Sequence, residues 1–289
     1  MLPVQSLPRF NSLLFCYFVS VVFICCKKDN IRSMVDNGKG NPTSYLLEQI
    51  TDGGKGGMGG LDYYFEYNTD NQVSEIKRVQ WGYVTYGNNP PVRQENAMTY
   101  SFEYVNKLPV KCTLIDDVFM WTFAYEYEGD RIVKNTVRYF GVNVQDSTFY
   151  SYDPHGNLGE AVLFKNNAKY KSEFTYGNDL ITHTSYLLDV NLKQKYRSEY
   201  VAFDKKINFI RAINGLPATF IVDDISFYDH TSPGPGNNTQ IKSSCIVGIN
   251  DNFTSLNSVN YSYEYNEEGL PVRMDVNGLT SIFKYRKYK

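Results

Sequence analysis

Aromatic and polar residues alternate at seven places along the chain, and each alternating segment is followed by a turn and a new apolar run. The segments are YYFEY (63–67), YSFEY (100–104), FAYEY (123–127), FYSY (149–152), EFTY (173–176), EYVAF (199–203) and YSYEY (261–265). A period of two is typical of β-strands with one buried and one exposed face. The pattern therefore predicts a strand at each segment.

The spacing of these segments predicts hairpins. Between the last aromatic residues of successive segments, four of the six intervals lie between 23 and 27 residues. Segments such as NTDNQV, EGDRI and NEEGL follow the aromatic segments. They are typical of tight turns, because Gly, Asn and Asp adopt the left-handed conformations that such turns need. The sequence predicts an all-β fold, an antiparallel meander of about seven repeated β-hairpins that forms an elongated or curled sheet.

The alternation also assigns side chains to the two faces of the sheet. Tyr261, Tyr263 and Tyr265 share one face, whereas Ser262 and Glu264 share the other. A glutamate precedes the last aromatic in four segments, and a basic residue lies on each following strand: Glu66, Glu103, Glu126 and Glu264, with Lys77, Lys111, Lys134 and Arg273. These residues form either an acidic binding row or, the favoured interpretation, cross-strand ion pairs on a solvated face.

Composition supports a β-rich domain and narrows the classes of partner. The 289 residues include 25 Tyr and only 2 Trp, and tyrosine favours half-buried sheet surfaces. The formal net charge of −2 gives no basic excess, so nucleic acid is not an expected partner. Cys112 and Cys245 are the two cysteines of the body, and their spacing leaves open whether they pair.

The N-terminus predicts export and lipid attachment. An apolar-leaning run from Leu13 to Ile24 is 12 residues long, which suits a signal peptide better than a membrane-spanning helix. It ends at Cys25 and Cys26, where Lys27 begins a polar segment. The junction resembles a bacterial lipoprotein signal with Cys26 as the lipid-attachment residue. Ordinary cleaved secretion and a retained anchor are the alternatives.

The prediction for domain organisation follows from this junction. Residues 1–25 are a lipoprotein signal peptide, residues 26–44 a flexible tether, and residues 45–289 a single repeat-built all-β domain. Two acyl chains suffice for stable anchoring, so the membrane is a partner through the N-terminal diacylglyceryl lipid. The expected location is the bacterial outer membrane, on its periplasmic or its surface face.

Several of the turns resemble a known repeat. YDPHGNL (152–158) is similar to the YD-repeat pattern, Tyr-Asp-x-x-Gly-x-Leu, of Rhs-like proteins, and YNEEGLPV (265–272) and YEGDRI (127–132) are looser copies. Together with the lipoprotein start, about 45–289 resembles a group of Bacteroidota lipoproteins of unknown function with degenerate aromatic repeats. The resemblance implies an elongated or curled antiparallel sheet in the cell envelope, and it implies no catalytic residue.

One interruption of the repeat supplies the candidate ligand site. QWGYVTYGNNPPVRQEN (80–96) carries Trp81, Tyr83 and Tyr86 among Gly, Asn and Pro residues. Aromatic rings exposed on a rigid β scaffold can stack on sugar rings or peptides. The alternative is that these aromatic residues extend the strands and pack.

The sequence offers little for catalysis. His155, His183 and His230 are scattered, no metal-ligand spacing occurs, and TDGGKGGMGG (51–60) lacks the Ser or Thr of a phosphate loop. The expectation is therefore no cofactor, no metal, no catalytic residue, and a flexible hairpin loop at 51–60. Asp223 and Asp224 are the closest carboxylate pair in an apolar context, with a turn as the alternative.

The sequence is compatible with two functions. The leading hypothesis is a non-enzymatic envelope lipoprotein that binds a glycan, peptide or protein partner through a sheet face or loops. The alternative is a carbohydrate-active hydrolase of the cell envelope that uses carboxylates such as Asp223 or Asp224.

Overall fold

The computed structural model describes most of the region predicted to be the β domain. The described residues are 44–53, 59–86, 90–141, 145–154, 158–165, 168–176, 181–188, 193–203, 213, 238–247, 255–276 and 278–288. Only the backbone is described for residues 176, 181–188, 193–203, 238–247 and 255–258. The predicted signal peptide and tether lie outside the described residues, except Ser44.

The described residues form sixteen antiparallel strands in chain order. These are β1 Tyr45–Gly53, β2 Gly59–Tyr67, β3 Val73–Val84, β4 Val92–Val105, β5 Leu108–Ile115, β6 Met120–Glu128, β7 Arg131–Tyr139, β8 Gln145–Tyr152, β9 Leu158–Lys165, β10 Ala168–Tyr176, β11 Ile181–Leu188, β12 Lys193–Phe203, β13 Asn238–Val247, β14 Ser255–Tyr265, β15 Pro271–Val276 and β16 Leu279–Lys287. Within the described ranges, no helix is long and apolar enough to cross a membrane.

Each strand pairs with its neighbours in sequence, and the sheet closes on itself. β1 pairs with β2 on one side and with β16 on the other, where Tyr45 faces Lys287 and Gly53 faces Thr280. The predicted antiparallel meander is confirmed. Its curl is complete, because the first and last strands join in a closed barrel.

The aromatic face predicted from the repeats lies inside the barrel. Pairs of aromatic residues on the even-numbered strands, such as Tyr63 with Phe65 and Tyr100 with Phe102, are almost fully buried. They contact aliphatic residues of the odd-numbered strands, such as Ile76, in one hydrophobic cluster. Porin barrels of similar strand number enclose a water-filled channel. Here apolar side chains make up most of the buried inner face that the structure describes, together with a few buried polar residues such as Asn135 and Thr148.

A tyrosine near the end of several even-numbered strands ties each hairpin together. The hydroxyls donate to backbone carbonyls of the preceding strand: Tyr67 to Leu47 at 2.6 Å, Tyr104 to Val73 at 2.6 Å, Tyr127 to Pro109 at 2.5 Å, Tyr152 to Ile132 at 2.8 Å and Tyr285 to Pro271 at 2.8 Å. We call these five residues the anchor tyrosines, and the rim of the barrel where they lie the anchor end. Burial raises the pKa of Tyr104, so its hydroxyl remains a protonated donor.

The turns at the anchor end use the polar residues that the repeats predicted. Asn68 follows an anchor tyrosine, and its side-chain oxygen accepts from the Asp70 and Gln72 amides at 3.0 and 2.9 Å. Asn266 repeats the arrangement with Leu270 at 2.9 Å. The left-handed position is filled by Asn71 in the first turn, with φ 59°, and by Gly269 in the second, with φ 81°. The predicted left-handed turn residues are confirmed in these two turns.

The outer face carries the predicted ion pairs on three of the four hairpins. Lys111 contacts Glu103 at 2.5 Å, Lys134 contacts Glu126 at 2.6 Å, and Arg273 lies 3.8 Å from Glu264. The fourth hairpin has the same β-bulge after its glutamate, but the residue opposite that glutamate is acidic. Glu66 faces Glu75, and Lys77 faces Tyr64.

Two further residues lie in the core, and the first bears on the open question of cysteine pairing. Cys112 is a free, buried cysteine on β5, and burial raises the pKa of its thiol. Ile213, from the long connection between β12 and β13, is also buried in the hydrophobic cluster. The rest of that connection, 204–237, lies outside the described residues.

Loss of an anchor hydroxyl should weaken the fold. Tyr104→Phe removes the donor to the Val73 carbonyl, and leaving that acceptor unpaired is expected to cost about 1–2 kcal/mol in the free energy of unfolding, measured with urea. Tyr83→Phe is the matched control, because the Tyr83 ring is 47% exposed. Equal stability of the two variants would show that the anchor hydrogen bond contributes nothing.

Candidate functional site

The interruption at 80–96 is a long hairpin rather than a free loop. β3 continues to Val84 and β4 starts at Val92, and these two residues pair. The alternation places Trp81 and Tyr83 on the outer face, opposite Glu95 and Arg93 of β4. The prediction that these aromatic residues extend the strands is confirmed for Trp81 and Tyr83. We call the rim at the tip of this hairpin the hairpin end.

Trp81 is held in place from both sides. Its ring lies against Gly60 of β2, where an added Cβ would come within 2.5 Å of the ring and 2.2 Å of the Asp52 carbonyl oxygen. The Arg93 guanidinium carbon lies 4.6 Å from the ring centroid, which is cation–π geometry. Trp81 therefore packs, and it fixes the position of its neighbours.

Tyr83 and Tyr86 remain exposed. Tyr83 meets the Trp81 ring edge-on at a centroid distance of 6.0 Å and is 47% exposed. Tyr86 is 56% exposed, and its hydroxyl accepts a 2.7 Å hydrogen bond from Gln94 Nε2. Of the three predicted ligand-binding aromatic residues, these two present ring surface to a ligand.

A buried carboxylate lies under the aromatic residues. Asp62 of β2 is only 5% exposed, and its Oδ2 is 3.8 Å from the Arg93 guanidinium. Burial raises the pKa of Asp62, whereas the adjacent Trp81 N–H and the Arg93 charge act in the opposite direction. Arg93 also contacts Glu95 at 2.7 Å, so one guanidinium links the ring and two carboxylates. We call Asp62, Trp81, Tyr83, Tyr86 and Arg93 the hairpin cluster.

A depression adjoins the hairpin cluster on the outer face. It encloses about 340 Å³ and is lined by Tyr64, Glu66, Glu75, Lys77, Val79 and Glu95. Val79 is buried, and three carboxylates and one lysine line the depression. Such a site presents hydrogen-bond acceptors and a tyrosine ring to a polar ligand.

Sequence reasoning missed the residues that position the cluster. Arg93 and Asp62 meet Trp81 only through strand register, and a one-residue slip would put them on the other face. The Gly-rich segment 51–60 was predicted to be a flexible loop. Residues 51–53 belong to β1 and residues 59–60 to β2, which pair with each other, and residues 54–58 lie outside the described residues. The close fit of Trp81 on Gly60 gives a physical reason for one of these glycines.

Other predicted residues fall outside this site. Cys26, His155, Asp223, Asp224 and His230 lie outside the described residues, and His183 is described only by its backbone on β11. Within the described part of the chain, no group of three or more His, Cys, Asp or Glu residues could hold a metal ion.

Comparison with known proteins adds a likeness of fold. A scan against protein-family models gives no match, and a search of curated proteins gives none. Among solved structures, the chain is similar to a porin-like protein from Bacteroides uniformis ATCC 8492, with a TM-score of 0.53 and 14% sequence identity. The alignment covers 86% of this chain and 99% of that chain. At this identity the likeness concerns the fold alone.

The packing of Trp81 on Gly60 can be tested directly. Gly60→Ala should displace the Trp81 ring or the Asp52 carbonyl, and overpacking of this kind typically costs about 1–3 kcal/mol in the free energy of unfolding. Gly53→Ala is the matched control in the paired strand, because its nearest atom would be 3.7 Å from the new Cβ. Urea unfolding of both variants measures the difference, and equal stabilities would contradict the close fit.

Proposed function

We propose that the protein is an envelope-anchored, non-enzymatic lipoprotein that binds a glycan through the outer face at the hairpin cluster. Peptide or protein partners are the other ligands that such a surface accepts. The observation that carries the proposal is the exposed Tyr83 ring, which stands on a fixed Trp81 beside the acidic depression.

A glycan fits the chemistry of this surface. Sugar rings stack on aromatic planes through their C–H faces and donate hydroxyl hydrogens to nearby carboxylates. Tyr83 supplies the plane, and Glu95, which lines the adjoining depression, supplies an acceptor. Because Arg93 and Gly60 already hold Trp81, less side-chain entropy is lost on binding.

The polarity of the two faces argues against a pore, despite the likeness to a porin-like protein. Membrane barrels place an apolar band outward and polar residues inward. In the described part of this barrel, ion pairs such as Lys134 with Glu126 lie outward and aromatic residues such as Phe102 lie inward. We infer that the likeness extends to strand arrangement and not to lipid contact.

The proposed attachment orients the barrel relative to the membrane. β1 starts and β16 ends at the anchor end, so a tether over 26–44 would join the domain there. The hairpin cluster lies toward the opposite end of β3, and would face away from the membrane. The resemblance of residues 45–289 to Bacteroidota lipoproteins and the Bacteroides origin of the structural neighbour support an outer-membrane location.

Binding to a glycan array tests the proposed function. The wild-type protein is expected to bind at least one glycan class, and Tyr83→Ala should weaken that binding at least tenfold, which corresponds to about 1.4 kcal/mol. Phe164→Ala is the matched control, because Phe164 on β9 is 46% exposed and lies away from the hairpin cluster. Equal losses in both variants, or no glycan bound by the wild type, would contradict the proposal.

The glycan that the protein binds also distinguishes the hydrolase alternative from non-enzymatic binding. Three glutamates around one depression favour it, since glycoside hydrolysis uses paired carboxylates. It requires turnover of the bound glycan that disappears in Glu75→Gln, Glu95→Gln, Asp223→Asn or Asp224→Asn. Binding without turnover supports the non-enzymatic function.

Lipid attachment has a separate test. Cys26→Ala removes the proposed acylation site, so the chain should move from the membrane fraction to the aqueous fraction when cells are fractionated. Cys25→Ala keeps Cys26 and should leave the protein in the membrane fraction. Membrane association that survives Cys26→Ala would favour a retained anchor.

A further inference from the structure

The long hairpin leaves part of one strand edge unpaired. β4 pairs with β3 along Val92–Ser101, but it pairs with β5 only from Thr99 onward. Residues 92–98 therefore have no strand partner on the β5 side among the described residues. At about 3.3 Å per residue, this free edge is roughly 23 Å long. Residues 92–96 are also exposed.

A free edge presents backbone donors and acceptors to another strand. We propose that it pairs with the same edge of a second copy of this chain, so that the two β4 strands run antiparallel and the protein is a homodimer. The two-fold axis of such a pair is normal to the sheet. It therefore keeps the outer faces of both copies on the same side.

Charge selects one register for this pairing. In an antiparallel pair, side chains that lie opposite each other are on the same face of the sheet. The two-fold axis therefore passes between the two copies of one residue. Centred on Gln94, the pairing sets Arg93 opposite Glu95 of the second copy, and the symmetry repeats that pair. Centred on residue 93 or 95, it would set like charges opposite each other, which is unfavourable. The sequence of the free edge is thus complementary to itself about Gln94.

An exposed apolar residue next to the free edge also favours this pairing. The Asp116–Phe119 turn lies where β5 stops, and the Asp116 carboxylate accepts from the Val118 and Phe119 amides at 2.7 Å each. The turn holds Val118 89% exposed beside the free edge. In the proposed register, Pro90 of the second copy lies opposite Met98, beside this turn. Val118 would then be covered by the second copy near Pro91.

Dimerisation would also place the two hairpin clusters on one continuous outer face. Arg93 lies on the free edge, and Tyr83 faces it from β3, one strand away. A ligand with repeated units could then contact both copies, and bivalent attachment raises the apparent affinity. This consequence rests on the proposed glycan function, whereas the dimer itself does not.

Charge exchange tests the interface with the full chain. We expect wild-type protein to show a concentration-dependent dimer in sedimentation velocity experiments. Glu95→Arg alone and Arg93→Glu alone should each weaken the dimer at least tenfold, because like charges then face each other. An equimolar mixture of the two variants should restore a heterodimer, since each Arg again faces a Glu. Glu126→Arg is the matched control, because Glu126 is an exposed outer-face glutamate on β6.

A cross-linking measurement covers the case in which Arg93→Glu disturbs Trp81 and fails to fold. Gln94→Cys places two thiols at the two-fold axis, so mild oxidation should give a covalent dimer, whereas Glu126→Cys should not. A wild-type monomer at all concentrations would overturn the proposal and leave Arg93 and Glu95 as protection of the edge. A dimer that Glu95→Arg does not weaken would overturn the interface. Neither result depends on glycan binding.

Discussion

The hydrogen bond from an anchor tyrosine to a backbone carbonyl is the interaction around which five of the described even-numbered strands are arranged. Tyr104 illustrates it: the ring closes the core at the anchor end, and the hydroxyl satisfies the Val73 carbonyl. The same residue coincides with a β-bulge, where the register shifts between Glu103 and Tyr104. One side chain thus closes the core, ties two strands and sets the start of the next turn.

Register set in this way determines the chemistry of the outer face. After the bulge at Tyr104, Glu103 faces Lys111, and the equivalent arrangement brings Glu126 to Lys134. In the first hairpin the bulge at Tyr67 sets the same register, but Glu75 stands where the other hairpins have a basic residue, so Glu66 faces Glu75. The depression with its three carboxylates exists because this hairpin breaks the charge pattern of the others. A departure from the repeat is therefore the natural place for a ligand.

The longest hairpin adds function to an otherwise regular barrel. Its extension beyond β2 and β5 carries Tyr83 outward, and it leaves the edge at 92–98 without a neighbouring strand. Both the proposed glycan site and the proposed dimer arise from that extension. The core below needs neither, since the buried aromatic pairs such as Phe123 with Tyr125 continue through the repeats.

The sequence by itself determined the strands, the buried aromatic face, the left-handed turn residues and three of the four predicted ion pairs. These follow from local alternation and from turn chemistry, which act over a few residues. Closure of the sheet, the contact of Trp81 with Gly60 and Arg93, and the free edge of β4 were decided only by the tertiary structure. Each depends on register or on pairing between distant segments, such as Tyr45 with Lys287. A pattern among neighbouring residues in the sequence carries no information about pairing between distant segments.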